Sequence, residues 1–268
     1  MEEVKEKTQK VLVDFKEIET MLFKGLKEAC RDAHRFSGKI NEQIEPEYIV
    51  TVNIAKSLNE INSANSSFGS PLIIKVEEDT RVFASECVPL ILFEDIFDST
   101  FREFHNSDRN GKIDIAVYEV SNTGSGFENR IPKCPVEVKK FTPSRGEILK
   151  DLYRNFEYLQ VKDKTGNNRL EKAYLVFLAH DKECLFETNK DKGKERLKKF
   201  YTALTKSFSD SLKEHNIILR IETETVDENL FADNKFEGQD PDFISDRAYE
   251  SFHHVGVLMT LERLTKPK

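Results

Sequence analysis

The sequence predicts an α/β fold, in which a mixed β-sheet carries helices on both faces. Segments with apolar residues at three- and four-residue spacing alternate along the chain with short runs rich in Val and Ile. The order is helix, helix, strands, helix, strand, helix, strand. One run, "KAYLVFLAH", is apolar throughout, which is typical of a strand covered on both faces. With 268 residues, the chain is long enough to bury a substantial core.

Four segments are predicted to be helices. Residues 3–36 form one long helix, because a single apolar stripe runs along it through Val11, Phe15, Ile18, Leu22, Leu26 and Ala29. A second helix begins near Glu45 and Pro46, since proline suits the first helical position, and continues through "EYIVTVNIAKSLNEI". Helical spacing returns in "SRGEILKDLYRNFEYLQ" and in "KGKERLKKFYTALTKSFSDSLKEH".

Seven segments are predicted to supply strands: "PLIIKVEE", "RVFASECVPLILFEDI", "GKIDIAVYEV", "CPVEVKKF", "KAYLVFLAH", "NIILRIETETV" and "HVGVLMTLERL". The segment "SNTGSGFENRIPK" is predicted to be a long loop, because its tip is rich in glycine and serine. We expect two parts: residues 1–40, an N-terminal helix for dimerisation or partner contact, and residues 41–268, an α/β domain.

Composition and charge limit the classes of function. Charged residues make up 33% of the chain, and no run of about 18 apolar residues or secretory signal is present. The four cysteines follow no zinc spacing, so we expect reduced thiols in a cytoplasmic protein. The net charge of −7 argues against indiscriminate binding of nucleic acid. However, residues 130–172 hold eleven Lys/Arg against six Asp/Glu, which is compatible with a local phosphate-binding surface.

Three charged residues lie inside two apolar strands. Asp114 stands between Ile113 and Ile115, where an unpaired carboxylate would cost several kcal/mol. Glu137 and Lys139 share one face of the strand "CPVEVKKF". If the two strands pair, Asp114 lies beside Glu137. Two adjacent carboxylates repel each other and attract a hard divalent cation such as Mg²⁺, and Lys139 could position or deprotonate a water that attacks phosphorus.

This combination resembles the PD-(D/E)XK nuclease superfamily, which includes restriction endonucleases. Its residues here are the "ID" of "GKIDIAVY" and the "EVK" of "PVEVKKF", although Ile113 replaces the usual proline. The resemblance covers roughly residues 45–185. It implies a mixed-sheet core with flanking helices and Mg²⁺-dependent cleavage of nucleic acid, with Mn²⁺ as a possible substitute.

The resemblance also assigns roles to particular residues. Asp114 and Glu137 would hold one or two Mg²⁺ ions, the backbone carbonyl of Val138 would be a further ligand, and Lys139 would assist the attacking water. A glutamate on the helix before the sheet often joins such sites, and Glu47 is the candidate here. First-turn placement, which the helix dipole favours, explains Glu47 equally well.

The expected substrate is DNA, with RNA as the alternative. Four cations that follow the motif are candidate contacts to the nucleic-acid backbone: Lys140, Arg145, Lys150 and Arg154. Asp151 and Arg154 could instead pair across one helical turn, and Ser144 could either cap the helix or help to hold a phosphate. The usual biological role of the family suggests an endonuclease in restriction or antiviral defence. We expect it to act as a homodimer or within a multi-protein complex, and we expect no membrane partner.

Three alternatives remain open from the sequence. The charged residues could form an ordinary surface hairpin with weak cross-strand salt bridges. The fold could be a catalytically inactive version that binds nucleic acid or assembles a larger defence complex. The chain could also be an interaction protein that acts through its long N-terminal helix and its acidic C-terminal region.

Overall fold

The structure, a computed structural model, describes residues 13–37, 46–64, 72–88, 111–122, 128–162, 168–181, 190–228 and 253–264. Within these ranges the helices are α1 (Phe15–Ser37), α2 (Pro46–Ala64), α3 (Thr80–Glu86), α4 (Arg145–Gln160), α5 (Lys190–Leu204) and α6 (Lys206–Leu212). The strands are β1 (Leu72–Asp79), β2 (Lys112–Asn122), β3 (Glu128–Lys139), β4 (Lys172–Asp181), β5 (Ile217–Glu228) and β6 (His253–Arg263).

The strands form one mixed sheet of six, in the order β1-β2-β3-β4-β6-β5. The β3–β4 pair is parallel and the other pairs are antiparallel. The parallel pair is connected through α4, as expected for a crossover between parallel strands. The predicted class, an α/β fold with a mixed sheet, is confirmed.

Helices cover both faces of the sheet. Residues of α1 and α2 pack on one face against Val136 and Val138 of β3 and Val176 of β4. Residues of α3, α4, α5 and α6 pack on the other face, against Leu175 and Phe177 of β4. Strand β4 therefore lies at the centre of three layers, which explains why its sequence is apolar throughout.

Helix α1 follows the segment 3–36 that the apolar stripe predicts, from Phe15 to one residue beyond its end at Ser37, while residues 3–12 lie outside the described ranges. Ile18, Leu22, Leu26 and Ala29 of this stripe are fully buried, in the same core as α2 and the sheet. The stripe is thus used within the chain, and a dimer contact through α1 would need another face of the helix.

Three predicted elements differ from the structure. The start of "RVFASECVPLILFEDI" is helix α3, because Asp79 caps it by accepting hydrogen bonds from the backbone N–H groups of Arg81 and Val82; residues 89–96 of that segment lie outside the described ranges. The predicted loop "SNTGSGFENRIPK" is shorter, since β2 extends to Asn122 and β3 begins at Glu128. The predicted helix from Lys192 is divided into α5, α6 and a short 3-10 helix.

The remaining predicted helices and strands are confirmed where the structure describes them, including the final segment, which is strand β6. None of the helices in the described ranges has the length and apolar character needed to cross a membrane. Cys30, Cys87 and Cys134 are buried and form no disulfide, whereas Cys184 lies outside the described ranges.

Candidate active site

Asp114 occupies the place where β2 and β3 separate. The pairing between these two strands ends at Ile115 opposite Val136, although both strands continue beyond that pair. Past this point the Asp114 Oδ2 atom accepts a hydrogen bond of 2.7 Å from the backbone N–H of Val138. The carboxyl group of Asp114 is therefore fixed against β3 at the position that the sequence predicts.

Glu137 is almost completely buried, with 1% of its surface exposed. Its Oε1 atom accepts a hydrogen bond of 3.0 Å from Nη1 of Arg154, its Oε2 atom is buried, and its carboxyl group lies within hydrogen-bonding reach of Asp114. Burial raises the pKa of Glu137 to about 8, and the charges of Asp114 and Asp151 act in the same direction, against the opposing charge of Arg154. Burial therefore disfavours the ionised form of Glu137, while the guanidinium of Arg154 favours it.

Lys139 lies between two carboxylates contributed by two helices. Its Nζ atom is 3.1 Å from Oδ2 of Asp151 on α4 and 3.8 Å from Oε1 of Glu47 at the start of α2. Burial alone would lower the pKa of Lys139, but Asp151, Glu47 and Asp114 together outweigh burial and raise the pKa. Lys139 is therefore a stable ammonium group, suited to holding a water or an anion in place and not to accepting a proton.

Asp114 and Glu47 are destabilised as carboxylates in the same way as Glu137. Burial is the largest cause of the raised pKa of Asp114, and the backbone N–H of Val138 only partly opposes it. Burial also raises the pKa of Glu47, and the nearby charge of Asp114 adds to the effect. The structure thus brings Glu47 into the same group of charges, although α2 lies on the opposite side of the sheet from α4.

Helix α4 supplies the part of the site that sequence reasoning missed. The sequence predicts Asp151 only as a partner of Arg154 across one turn, and that contact exists at 3.7 Å. The more important contacts of both residues cross to β3, where Asp151 reaches Lys139 and Arg154 reaches Glu137. Asn155 on the same helix donates a hydrogen bond of 2.9 Å to the carbonyl oxygen of Tyr174 and fixes α4 to β4.

A signal for this second half of the site is present in the sequence. Asp151, Arg154, Asn155 and Tyr158 recur at three- and four-residue spacing, so that polar groups fall on the side of α4 that faces the sheet. Asp151, Asn155 and Tyr158 are buried, and Arg154 is half-buried. Polar residues at the core positions of an amphipathic helix indicate partners on the neighbouring element.

The four predicted nucleic-acid contacts divide into two groups. Lys140, Arg145 and Lys150 are exposed, and Lys140 forms an exposed ion pair of 3.5 Å with Glu147. Arg154 instead points into the site. Ser144 caps α4 in a reciprocal capping box with Glu147, so the capping interpretation of Ser144 is confirmed.

The charges of the group do not balance. It contains four carboxyl groups, of Glu47, Asp114, Glu137 and Asp151, and two cations, Lys139 and Arg154. With all six groups ionised, two negative charges would remain uncompensated in a largely buried place, where one divalent cation would compensate them.

The arrangement is nevertheless not a ready-made ligand set. In the part of the chain that the structure describes, no three His, Cys, Asp or Glu side chains are grouped as ligands of one metal ion. Asp114 and Glu137 offer a pair of carboxylates, and further ligands would have to come from the carbonyl oxygen of Val138 or from a shift of Glu47. The residues fit a divalent cation in chemistry and charge.

Comparisons with known proteins add no relative. No family model matches the chain, and neither a curated protein nor a solved structure matches it.

Proposed function

We propose that this protein is a metal-dependent nuclease of the PD-(D/E)XK type that hydrolyses phosphodiester bonds in DNA. The observation that carries the proposal is the meeting of Asp114, Glu137 and Lys139 at the point where β2 and β3 separate. A mixed sheet with helices on both faces is also the architecture that the resemblance implies.

The excess of carboxyl groups supports a divalent cation as the cofactor. Asp114, Glu137 and the carbonyl oxygen of Val138 would hold Mg²⁺, or Mn²⁺ in its place, with Glu47 as a further ligand. Such an ion polarises phosphoryl oxygens and lowers the pKa of bound water. The adjacency of the Asp114 and Glu137 carboxyl groups supports this assignment, because a cation stabilises two neighbouring carboxylates.

Lys139 would then act as a fixed positive charge. Asp151 holds its ammonium group from one side and Glu47 from the other, which leaves little freedom of position. A protonated Lys139 can orient the attacking water and stabilise the negative charge that develops on the phosphate. This role uses the raised pKa of Lys139, whereas a role as general base would require a lowered one.

The exposed cations next to the site would bind the nucleic-acid backbone. Lys140 follows β3 directly, while Arg145 and Lys150 lie on α4, the helix that also supplies Asp151 and Arg154. Contacts of this kind position the substrate without reading its sequence. Duplex DNA is the proposed substrate, and RNA is the alternative. We further propose that the protein acts in the cytoplasm in defence, as a homodimer or within a complex.

Cleavage of nucleic acid by purified protein tests this function. We expect the wild type to cut DNA with Mg²⁺ or Mn²⁺ and to be inactive with a chelator. Asp114→Ala and Lys139→Ala should each reduce the rate by at least about a hundredfold, because the first removes a ligand of the cation and the second removes the charge that stabilises the reacting phosphate. Lys213→Ala, which removes an exposed lysine paired with Asp210, is the matched control and should cut normally.

A catalytically inactive version of the same fold is the second candidate. It is favoured by the closed pairing at the site, in which Arg154 pairs with Glu137 and Asp151 with Lys139. Under this alternative the wild type and both variants would be equally inert on DNA and RNA in every divalent cation, and that outcome would contradict the catalytic proposal.

A further inference from the structure

Arg154 contacts Glu137, which is a proposed ligand of the divalent cation. Its guanidinium lies against Glu137, with the Nη1 atom 3.0 Å from Oε1, and the same Nη1 atom is 3.7 Å from Oδ1 of Asp151. The Glu137 side chain is 1% exposed and the Arg154 side chain 17% exposed, so the positive group covers the buried carboxyl group from its more open side. In this position Arg154 places one positive charge beside Glu137, where a bound cation would otherwise lie.

In this position the hydrogen-bond donors of Arg154 are only partly used. A guanidinium carries five N–H donors, and its fork suits two parallel hydrogen bonds to one anion. Here one nitrogen serves both carboxylates, while the buried Nε atom has no hydrogen-bond partner among the described residues. A buried donor without a partner destabilises the position that it occupies. A phosphate group, with several acceptor oxygens, would satisfy Nε and the second amino nitrogen together.

Lys139 is held more firmly than Arg154. Asp151 and Glu47 hold it from both sides, and Asp151 would keep this contact if Arg154 moved away. Only the contact with Glu137, and the longer contact with Asp151, would have to break for Arg154 to leave. The two cations of the site therefore have different constraints, one held between two helices and the other attached to a single strand residue.

We propose that Arg154 is a placeholder for the divalent cation: it leaves Glu137 when the cation binds and then binds a phosphate oxygen of the substrate. The inference rests on the proposed function and adds a substrate-binding residue to it. Cation binding and substrate binding become coupled, because the cation releases the arginine that holds the phosphate. The alternative is that Arg154 and Glu137 form a purely structural ion pair. In that case cation binding and substrate binding would not be coupled through Arg154.

The test measures two affinities in Arg154→Met, which retains much of the side-chain volume without charge. Calorimetric titration with Mn²⁺ alone should show tighter binding than in the wild type, by at least about fivefold, because the competing cation is gone. A labelled DNA duplex, with Mn²⁺ present and cleavage blocked by Lys139→Ala in both proteins, should bind about tenfold to a hundredfold more weakly, because a charged hydrogen-bonding group is lost.

Two further variants make the result specific. Arg31→Met removes an arginine from an exposed ion pair with Glu28 of similar length, 3.1 Å, and should change neither affinity. Arg154→Lys keeps the charge without the fork, so Mn²⁺ affinity should stay within about twofold of the wild type while DNA binding weakens. This variant also tests the inference if Arg154→Met does not fold, as checked by circular dichroism.

The outcomes separate this inference from the proposed function. Tighter binding of Mn²⁺ together with weaker binding of DNA in Arg154→Met supports the placeholder role. Mn²⁺ affinity that is equal or weaker in Arg154→Met, in a wild type that binds Mn²⁺ and cuts DNA, overturns the placeholder role and leaves the nuclease proposal intact. Absence of Mn²⁺ binding in both proteins overturns both.

Discussion

Glu137 lies in an environment poorly suited to an ionised carboxylate, because its side chain is almost completely buried. Ordinary glutamate has a pKa of 4.5, and burial raises the pKa of Glu137 to about 8. Between these values the folded protein retains a proton that the unfolded chain has released. The free energy of unfolding should therefore fall as the pH rises from about 4.5 to about 8, since stability decreases wherever the native state binds more protons.

Glu137→Gln isolates this effect, because glutamine does not titrate. We expect the unfolding free energy of the wild type, relative to Glu137→Gln, to decrease steadily between pH 5 and pH 8 in the absence of divalent cations. Urea unfolding at a series of pH values measures the difference. A difference that stays constant, or that grows in favour of the wild type as the pH rises, would contradict the raised pKa of Glu137.

Glu147 provides a control with the opposite sign. Hydrogen bonds with Ser144 lower the pKa of this exposed carboxylate. A lowered pKa contributes stability that is present above the ordinary value and lost as the pH falls through the lowered one. The wild type should therefore be more stable than Glu147→Gln at neutral pH, and the difference should disappear in acid.

At this scale the sequence predicted one half of the site. Asp114, Glu137 and Lys139 stand out because charges between apolar strand residues need partners, and the chain order places their strands side by side. Asp151 and Arg154 do not stand out in the same way, since charged residues are common on helices. Their significance depends on how α4 is rotated against β3, and local spacing alone does not determine that rotation.

At the scale of elements, Gly25 constrains the contact between α1 and α2 closely. A Cβ atom added to Gly25 of α1 would lie 2.6 Å from Cα and 2.9 Å from the backbone nitrogen of Ile54 on α2. Backbone atoms cannot move aside as a flexible side chain can, so the two helices would have to separate. Glycine at this position therefore allows α1 to lie directly on α2.

Gly25→Ala should destabilise the protein by about 1–3 kcal/mol or more, as overpacking of a core does. Gly146→Ala is the matched control, because nothing lies within 4 Å of the corresponding Cβ position on α4. That change should be neutral or should stabilise the protein by up to about 1 kcal/mol, through the higher helix propensity of alanine. Urea unfolding compares the two; equal effects would contradict the close approach of α1 and α2.

The elements also show where sequence patterns are ambiguous. Helix α3 was predicted as strand because its segment is a short mixed apolar run, and such runs do not distinguish a strand from a buried helical turn. The deciding feature is the cap at Asp79, whose carboxylate binds the N–H groups of the first turn. Longer periodic segments, such as those of α2 and α4, were predicted correctly because several turns repeat the same pattern.

For the whole molecule, the class of fold could be predicted but the strand order could not. Strand β6, the last in the chain, lies between β4 and β5 and is antiparallel to both. Its apolar sequence indicates a buried strand, and many positions in a sheet satisfy that requirement. Pairing between distant segments depends on the packing of the complete sheet, which local patterns do not record.

The central claim is that Asp114 and Glu137 hold a divalent cation, and a crystal soaked with Mn²⁺ tests it most directly. Anomalous scattering should show a peak between these two carboxylates, about 2.1 Å from oxygen atoms of both, with the carbonyl oxygen of Val138 as a further ligand and Arg154 no longer against Glu137. A saturating soak that leaves this position without a peak, with Arg154 still bound to Glu137, would contradict the account.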